Sequence, residues 1–264
     1  MARVTLVGSP ALTEYENLQD LQSLRERYLE SPPLGILVVA SLFRESGAEV
    51  SVVDSNRQYL HHLEQSLPQE QFTEALATTL AAEQSDLFGF ATICSSYYVT
   101  LDCARRLKKK RPDCAIVLGG PQATATATET LERFPAVDFV LGGEVEGAVG
   151  PFLELRDSAP ADVPGLFYRD GDKVLHTAPL PPPDLDATPW PALDLWGEGK
   201  VSKLALEAGR GCPFDCKFCS TNSYFGRRYR VKSPERLIEE AATSCGRYDT
   251  NHVVMIHDHF AARK

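Results

Sequence analysis

Positive charge is in short supply in this chain: 27 Lys and Arg stand against 36 Asp and Glu, a formal net charge of −9. So acidic a protein is badly suited to a phosphate backbone, which requires clustered cations, and nucleic acid is excluded as a partner. The one basic run, Lys108-Lys109-Lys110-Arg111, precedes Pro112. It reads as a solvated helix end, where cations favour the helix dipole. Long apolar runs are missing as well. The longest, Leu34 to Phe43, is about ten residues, half of the ~20 that a membrane span needs. Met1-Ala2-Arg3 leads into the short run Val4–Val7 rather than into a secretory apolar region. These absences predict a cytoplasmic protein with no membrane partner. No internal repeat or low-complexity tract stands out beyond the Ala/Thr patch 123–130.

What is present is 264 residues with an ordinary apolar share of 43%, enough for one large domain or two modest ones. Short β-rich runs alternate with amphipathic stretches through the first part. Strands are predicted at 4–7, 49–53, 87–93, 115–118 and 139–141. Helices are predicted at 35–46, 69–84, 101–110, 128–134 and 146–155. Alternation of this kind predicts an α/β fold, a Rossmann-like doubly wound parallel sheet. Apolar runs such as Ile116-Val117-Leu118 suit strands buried on both faces. From about Pro160 the character changes. Leu166-Phe167-Tyr168 and Lys173-Val174-Leu175 flank Arg169-Asp170-Gly171-Asp172, a hairpin signal, and 179–191 reads as a proline-rich extended linker. A strand at 203–207, a helix opened by Ser233-Pro234-Glu235 and a strand at 253–256 follow. The boundaries are 1–160 for the first domain, 161–200 for hairpin and linker, and 201–264 for the last unit.

Seven cysteines in such a compartment argue for metal or catalysis over disulfides. Cys94, Cys103, Cys114 and Cys245 are isolated, and buried inert thiols are expected there. Cys212, Cys216 and Cys219 are different. Their C-x3-C-x2-C spacing in a loop after a strand brings three thiolates together, where ferredoxin-type clusters use four. Three protein ligands leave one position open, as catalytic metals require. A zinc site completed by His252, His257 or His259, and a redox disulfide, are the alternatives left by spacing alone.

The run Gly209-Arg210-Gly211-Cys212-Pro213-Phe214-Asp215-Cys216-Lys217-Phe218-Cys219 resembles the signature of radical S-adenosylmethionine enzymes. Tyr229-Arg230-Val231-Lys232-Ser233-Pro234-Glu235 and Ile256-His257-Asp258-His259-Phe260 resemble the subfamily with an N-terminal cobalamin-binding domain. The resemblance implies a [4Fe–4S] cluster on Cys212, Cys216 and Cys219, S-adenosylmethionine at the open iron, and the start of a (β/α) partial barrel after residue 200. Phe218 would lie beside the adenine, with plain packing as its alternative. Asp258, at the end of the second barrel strand, would meet the polar end of S-adenosylmethionine, with a loop-capping acid as its alternative.

Residues 1–156 resemble the cobalamin-binding domain, and ligands of such sheets sit beyond the carboxyl ends of the strands. Ser9, Thr92, Ser95, Gly119, Gly120, Gly142, Gly143 and Glu144 fall there and are the expected cobalamin contacts, although tight strand–helix turns select glycines too. The Asp-x-His-x-x-Gly motif whose histidine ligates cobalt is absent, the region reading Asp54-Ser55-Asn56-Arg57. Any bound cobalamin is therefore expected to lack a protein histidine on cobalt. His61 and His62 read as solvated surface. The resemblance implies methyl transfer to an unactivated carbon of a small-molecule or peptide substrate through a 5′-deoxyadenosyl radical. An electron donor such as flavodoxin or ferredoxin would serve it. Ring-forming radical reactions fit the same pair of domains. Only about sixty residues follow Lys203, room for two β/α units of about thirty each. The alternative is thus a truncated cobalamin-binding or scaffold fragment that needs a partner chain.

Overall fold

The computed structural model describes residues 1–10, 32–68, 71–156, 160–197, 201 and 203–260. Five parallel strands, β1 (Arg3–Val7), β2 (Glu49–Val53), β3 (Leu87–Ala91), β4 (Ala115–Gly119) and β5 (Phe139–Leu141), lie in the order 2-1-3-4-5. The antiparallel pair β6 (Leu166–Asp170) and β7 (Lys173–His176) extends the same sheet beyond β5, giving seven strands. The hairpin read from the Asp-Gly turn therefore exists; its first strand joins β5 and its second forms the edge of the sheet. The doubly wound α/β prediction holds, with the strand order reversing at β1.

Helices cover both faces. Phe88 and Leu118 point into one core with α2 (Ser55–Glu64), α3 (Phe72–Ala82), α4 (Tyr97–Lys110) and α6 (Ala127–Arg133). Leu6 and Val117 point into the other with α1 (Leu34–Glu45) and α7 (Val149–Leu153). That alternation follows from the period of two along each strand. The short α5 (Pro121–Ala125) adds Ala123 to the first of these cores and is entered through Gly120 with Pro121 at its first position.

Several expectations are corrected. The helix α2 was not predicted; Asp54 caps it by accepting from the Asn56 amide at 2.9 Å. His62 is buried rather than solvated, with Nε2 2.8 Å from the Pro68 carbonyl and its ring edge-on to Phe72, while His61 is exposed. The strand at 87–93 ends at Ala91, and α4 starts four residues earlier than expected, at Tyr97. The helix predicted at 69–84 is α3; its first two positions lie outside the described residues. The basic run does end a helix, but Lys108 reaches Asp138 at 2.8 Å and Arg111 donates to the Glu83 and Ser85 carbonyls. Those two tie α4 to its neighbours, while Lys109 and Lys110 are exposed at the helix end, as read from sequence. Cys103 and Cys114 are buried, and burial pushes both thiols' pKa up, but Cys94 is exposed in the turn after β3 and Cys245 is only half-buried.

The proline-rich stretch is a strap rather than a free linker. Ala192 and Trp196 are buried against α1, Ser41 donates to the Trp190 carbonyl at 2.5 Å, and Arg44 pairs with Asp194 at 2.6 Å. Beyond it, β8 (Leu204–Glu207) pairs in parallel with β11 (Val253–Ile256) through the connecting helix α9 (Pro234–Tyr248). Ser233 caps α9 by accepting from the Arg236 amide at 3.2 Å, as its sequence foretold. The two-residue strands β9 (Gly209–Arg210) and β10 (Arg230–Val231) form a small antiparallel pair beside them, and α8 (Thr221–Phe225) follows the cysteines. No helix among the described residues is long and apolar enough to cross a membrane.

Phe88 is fully buried between sheet and helices. Phe88→Ala is expected to lower unfolding stability by about 3–5 kcal/mol. Tyr98→Ala, at a ring 61% exposed, should change it by no more than about 0.5 kcal/mol. Denaturant midpoints at unchanged slope measure both.

Candidate functional site

The parallel strands of the sheet end at one edge, and the cysteine-bearing segment is packed against that edge. Between them lies a cavity of about 580 Å³ whose walls come from both sides. Gly119, Gly120 and Glu144 line it from the sheet, and Glu207, Arg210 and Tyr224 from the segment around the cysteines. Its lining is predominantly aliphatic, and none of the described lining residues is histidine. Gly120 adopts φ +98°, and a Cβ there would come within 2.8 Å of the Thr92 carbonyl, so only glycine lets the chain turn here against β3. The aliphatic wall suits a ligand with a broad apolar face.

The expected cobalamin contacts meet this edge in different ways. Ser9 follows β1, and its Oγ is 2.8 Å from Ser96 Oγ. Thr92 is buried: its Oγ1 donates to the Gly119 carbonyl at 2.7 Å and accepts from the Ala123 amide at 2.9 Å. It joins β3, β4 and α5 at the wall of the cavity. Ser95 sits half-buried in the turn after β3. Gly142 donates to the Gly165 carbonyl, and Gly143 accepts from the Tyr224 hydroxyl at 2.8 Å.

Glu144 has a different task. Its carboxylate takes Arg230 at 2.5 Å on one oxygen and Arg210 at 2.7 Å on the other. Arg210 also contacts Glu146 at 2.5 Å and holds Glu207 with two nitrogens, at 2.8 and 3.0 Å. These side chains are all largely buried. Burial works against the Arg210 charge, but Glu207 and the other carboxylates outweigh it and raise its pKa. Tyr224, buried beside Glu144, has its pKa pushed up to about 12, burial being the larger cause. Arg210, Glu146, Glu207 and Tyr224 were given no role from sequence. The available signal was an arginine between two glycines and an acid pair after Gly142-Gly143: charges in tight, otherwise apolar segments must find each other.

Cys212, Cys216 and Cys219 share one loop after β9; Cys216 is exposed and the other two half-exposed. Gly211, with φ +80°, brings the loop under the Arg228 carbonyl, which a Cβ would strike. Cys219 donates its amide to the Cys216 carbonyl at 3.1 Å, closing a turn between two thiols. Hydrogen bonds from Thr221 hold the Cys219 thiol below its ordinary pKa, which favours the thiolate a metal needs. Among the described residues, no three His, Cys, Asp or Glu side chains converge as around a single ion. The donor set fits a cluster better, because there each thiolate binds a different iron. Zinc would need a histidine, yet His257 stacks on Tyr229 at 4.8 Å and His259 leans on Phe214 at 5.1 Å. Phe218 is 92% exposed among the described residues, so its ring is open to a ligand. Asp258 lies just past β11, facing the loop.

Comparison with known proteins adds the following. The B12 binding domain family matches residues 24–152. An uncharacterized methyltransferase of Pyrococcus horikoshii is 30% identical over 244 residues, 88% of this chain and 50% of that protein. An anaerobic magnesium-protoporphyrin IX monomethyl ester cyclase of Cereibacter sphaeroides is 26% identical, over 79% of this chain and 34% of its own length. Among solved structures, TsrM of Kitasatospora setae, a radical S-adenosylmethionine methyltransferase with cobalamin and a [4Fe–4S] cluster bound, superposes with a TM-score of 0.66. That match, at 13% identity, covers 98% of this chain and 48% of TsrM and shows a shared fold. The chain thus spans half or less of the relatives it matches.

Arg210→Met would leave Glu144, Glu146 and Glu207 buried with one partner fewer between them. It is expected to destabilise the chain by about 3–5 kcal/mol. Thermal or denaturant unfolding of the variant against the wild type checks this, and a loss under about 1 kcal/mol would mean that the carboxylates find water instead.

Proposed function

We propose that this chain, a member of the radical S-adenosylmethionine family whose proteins carry an N-terminal B12-binding domain, supplies the cofactor crevice of a cobalamin-dependent methyl-transferring enzyme. The observation that carries the reading is the shared cavity: the strand ends of the sheet and the residues flanking the cysteine loop, Glu207, Arg210, Tyr224 and Phe225, wall the same space. Cys212, Cys216 and Cys219 would hold three irons of a [4Fe–4S] cluster. Phe218 stands free to cover an adenine ring. Ser9, Ser95, Gly119, Gly120, Gly142 and Gly143 would border the corrin, with Thr92 setting the height of Gly120 beneath it. Bound there, the cluster supplies an electron to cleave S-adenosylmethionine, and cobalamin supplies the methyl group for an unactivated carbon.

The protein's own part is positional. Aliphatic walls exclude water, which protects reactive species from side reactions. Arg210, Glu144 and Tyr224 fix the separation of the two walls. Similarity to the cyclase favours a second reading, ring formation with the same cofactors. Methyl-labelled S-adenosylmethionine separates the two, since only methyl transfer leaves the label in the product. The substrate, small molecule or peptide, and a flavodoxin- or ferredoxin-type donor belong to this proposal.

The test begins with anaerobic reconstitution using iron and sulfide. About four irons per chain are expected, on the ligand logic of a cubane cluster. The triple variant Cys212→Ala/Cys216→Ala/Cys219→Ala should lose them and the visible charge-transfer absorbance, whereas Cys94→Ala and Cys245→Ala should keep both. Full iron in the triple variant would end the reading. The same chain should bind cob(II)alamin with no protein nitrogen on cobalt, because no described histidine lines the cavity. Labelling the protein's histidines with nitrogen-15 tests this: a triplet in the electron paramagnetic resonance that becomes a doublet on labelling would place a histidine on cobalt and contradict that part.

A further inference from the structure

We propose that Asp258 is a positioning residue that staples the two ends of the cysteine loop together, and that its carboxylate serves the loop rather than S-adenosylmethionine. The loop's other anchors are local: Asp215 pairs with Arg227 at 2.7 Å, Phe214 leans on His259 and Cys219 bonds Cys216. Phe214, Asp215, Cys216, Lys217 and Phe218 are all exposed, so apolar burial does little to fix it. Its conformation must come from backbone geometry and polar closure.

Asp258 provides that closure with both oxygens. Oδ2 accepts from the Gly211 amide at 2.8 Å, immediately before Cys212. Oδ1 accepts from the Thr221 hydroxyl at 3.1 Å, two residues after Cys219. One carboxylate thus spans the whole C-x3-C-x2-C segment. Its own place is set by the parallel pair β8–β11, in which Ile256 lies opposite Glu207, so that the carboxyl ends of both strands emerge side by side. The Gly211 amide is aimed at Asp258 because the positive φ and the Arg228 carbonyl leave that residue little freedom. The Thr221 backbone amide in turn hydrogen-bonds Cys219, so the residue held by the staple also meets the third thiol. Groups that orient metal ligands in this way are typically worth 10–100-fold in metal affinity.

The role in cluster binding rests on the reading that the three thiols hold iron; the staple itself is a property of the cluster-free chain. Hydrogen exchange of the Gly211 amide in that form tests it directly. Asp258→Ala should accelerate the exchange about 10-fold or more, as loss of a hydrogen bond to a charged acceptor implies. It should also weaken iron uptake about 10-fold. Asp258→Asn keeps an oxygen for the Gly211 amide and an NH2 for the Thr221 hydroxyl, and should stay near wild type in exchange, in iron per chain and in the change of the reduced-cluster resonance on adding S-adenosylmethionine. Thr221→Val, at a partly exposed position, should lower iron uptake without unfolding the chain. Wild-type exchange in Asp258→Ala would overturn the staple. Normal iron in Asp258→Asn with the S-adenosylmethionine response lost would overturn the assignment by showing that the charge meets that cofactor. A wild-type chain that takes up no cluster would defeat the cluster reading, while the exchange comparison would still decide the staple.

Discussion

The guanidinium of Arg210, enclosed by Glu144, Glu146 and Glu207, is the contact on which the geometry of the crevice depends. A buried charge is tolerated only when its partners are in place, and a guanidinium fork satisfies them only at fixed angles. Glu144 and Glu146 come from the loop after β5, whereas Glu207 and Arg210 belong to the strands leading into the cysteines. Sliding one part over the other would therefore uncover several ions at once. Arg230 adds a second tie by holding both Glu144 and the Pro183 carbonyl. Two arginines thus face three acids near the open side of the cavity, and each acid keeps a cationic partner.

This lock works because of what the strand order has already done. In a parallel sheet the loops that follow the strands gather at one edge, and the reversal at β1 opens a crevice there. The pair β8–β11 obeys the same rule, with its cysteine loop and Asp258 at its own carboxyl end. The strap at 185–196 brings the second set of strand ends to face the first. Its anchor is Trp196, whose Nε1 donates to the buried Asp54 at 3.1 Å while Arg57 lies 3.7 Å over the ring. Burial raises the Asp54 pKa, with Trp196 and the Asn56 amide opposing it. The residues read from sequence as a missing cobalt motif thus cap a helix and hold the strap.

The parallel sheet was legible because continuous apolar runs such as 115–118 suit little besides a strand covered on both faces, and the cysteine loop because its spacing is narrow. Helix α9 was legible through Ser233 and Pro234, which carry their conformational preference locally. What escaped depends on partners distant in sequence. Helix α2 reads as polar, since only Tyr59, Leu60 and His62 of its length are deeply buried with Ser55. The burial of His62 follows from Pro68 folding back over it, which spacing does not announce. Glu144 was singled out as a strand-end residue, but its partners lie 66 and 86 positions away. Asp258 was recognised by place, yet both of its bonds reach across the loop to residues that sequence proximity does not suggest.

The cysteine loop shows why such long-range polar contacts are needed. Thiols that meet a cofactor from outside must stay accessible, so the loop cannot secure itself by burying its own side chains. It is held by its backbone: Gly211 turning under Arg228, Cys219 bonding Cys216, and Asn222 donating to the Phe214 carbonyl. Each such bond is worth only about 1 kcal/mol net, and together they fix the loop only if their partners are themselves immobile. The partners meet that condition because β8 is tied into the α1 core through Leu204, and β11 is held in register against β8. Order passes from apolar burial to strand register, from register to Asp258 and Arg210, and from these to the three cysteines. A small substitution at any of those steps should therefore reach the thiols, even where it leaves the global fold intact.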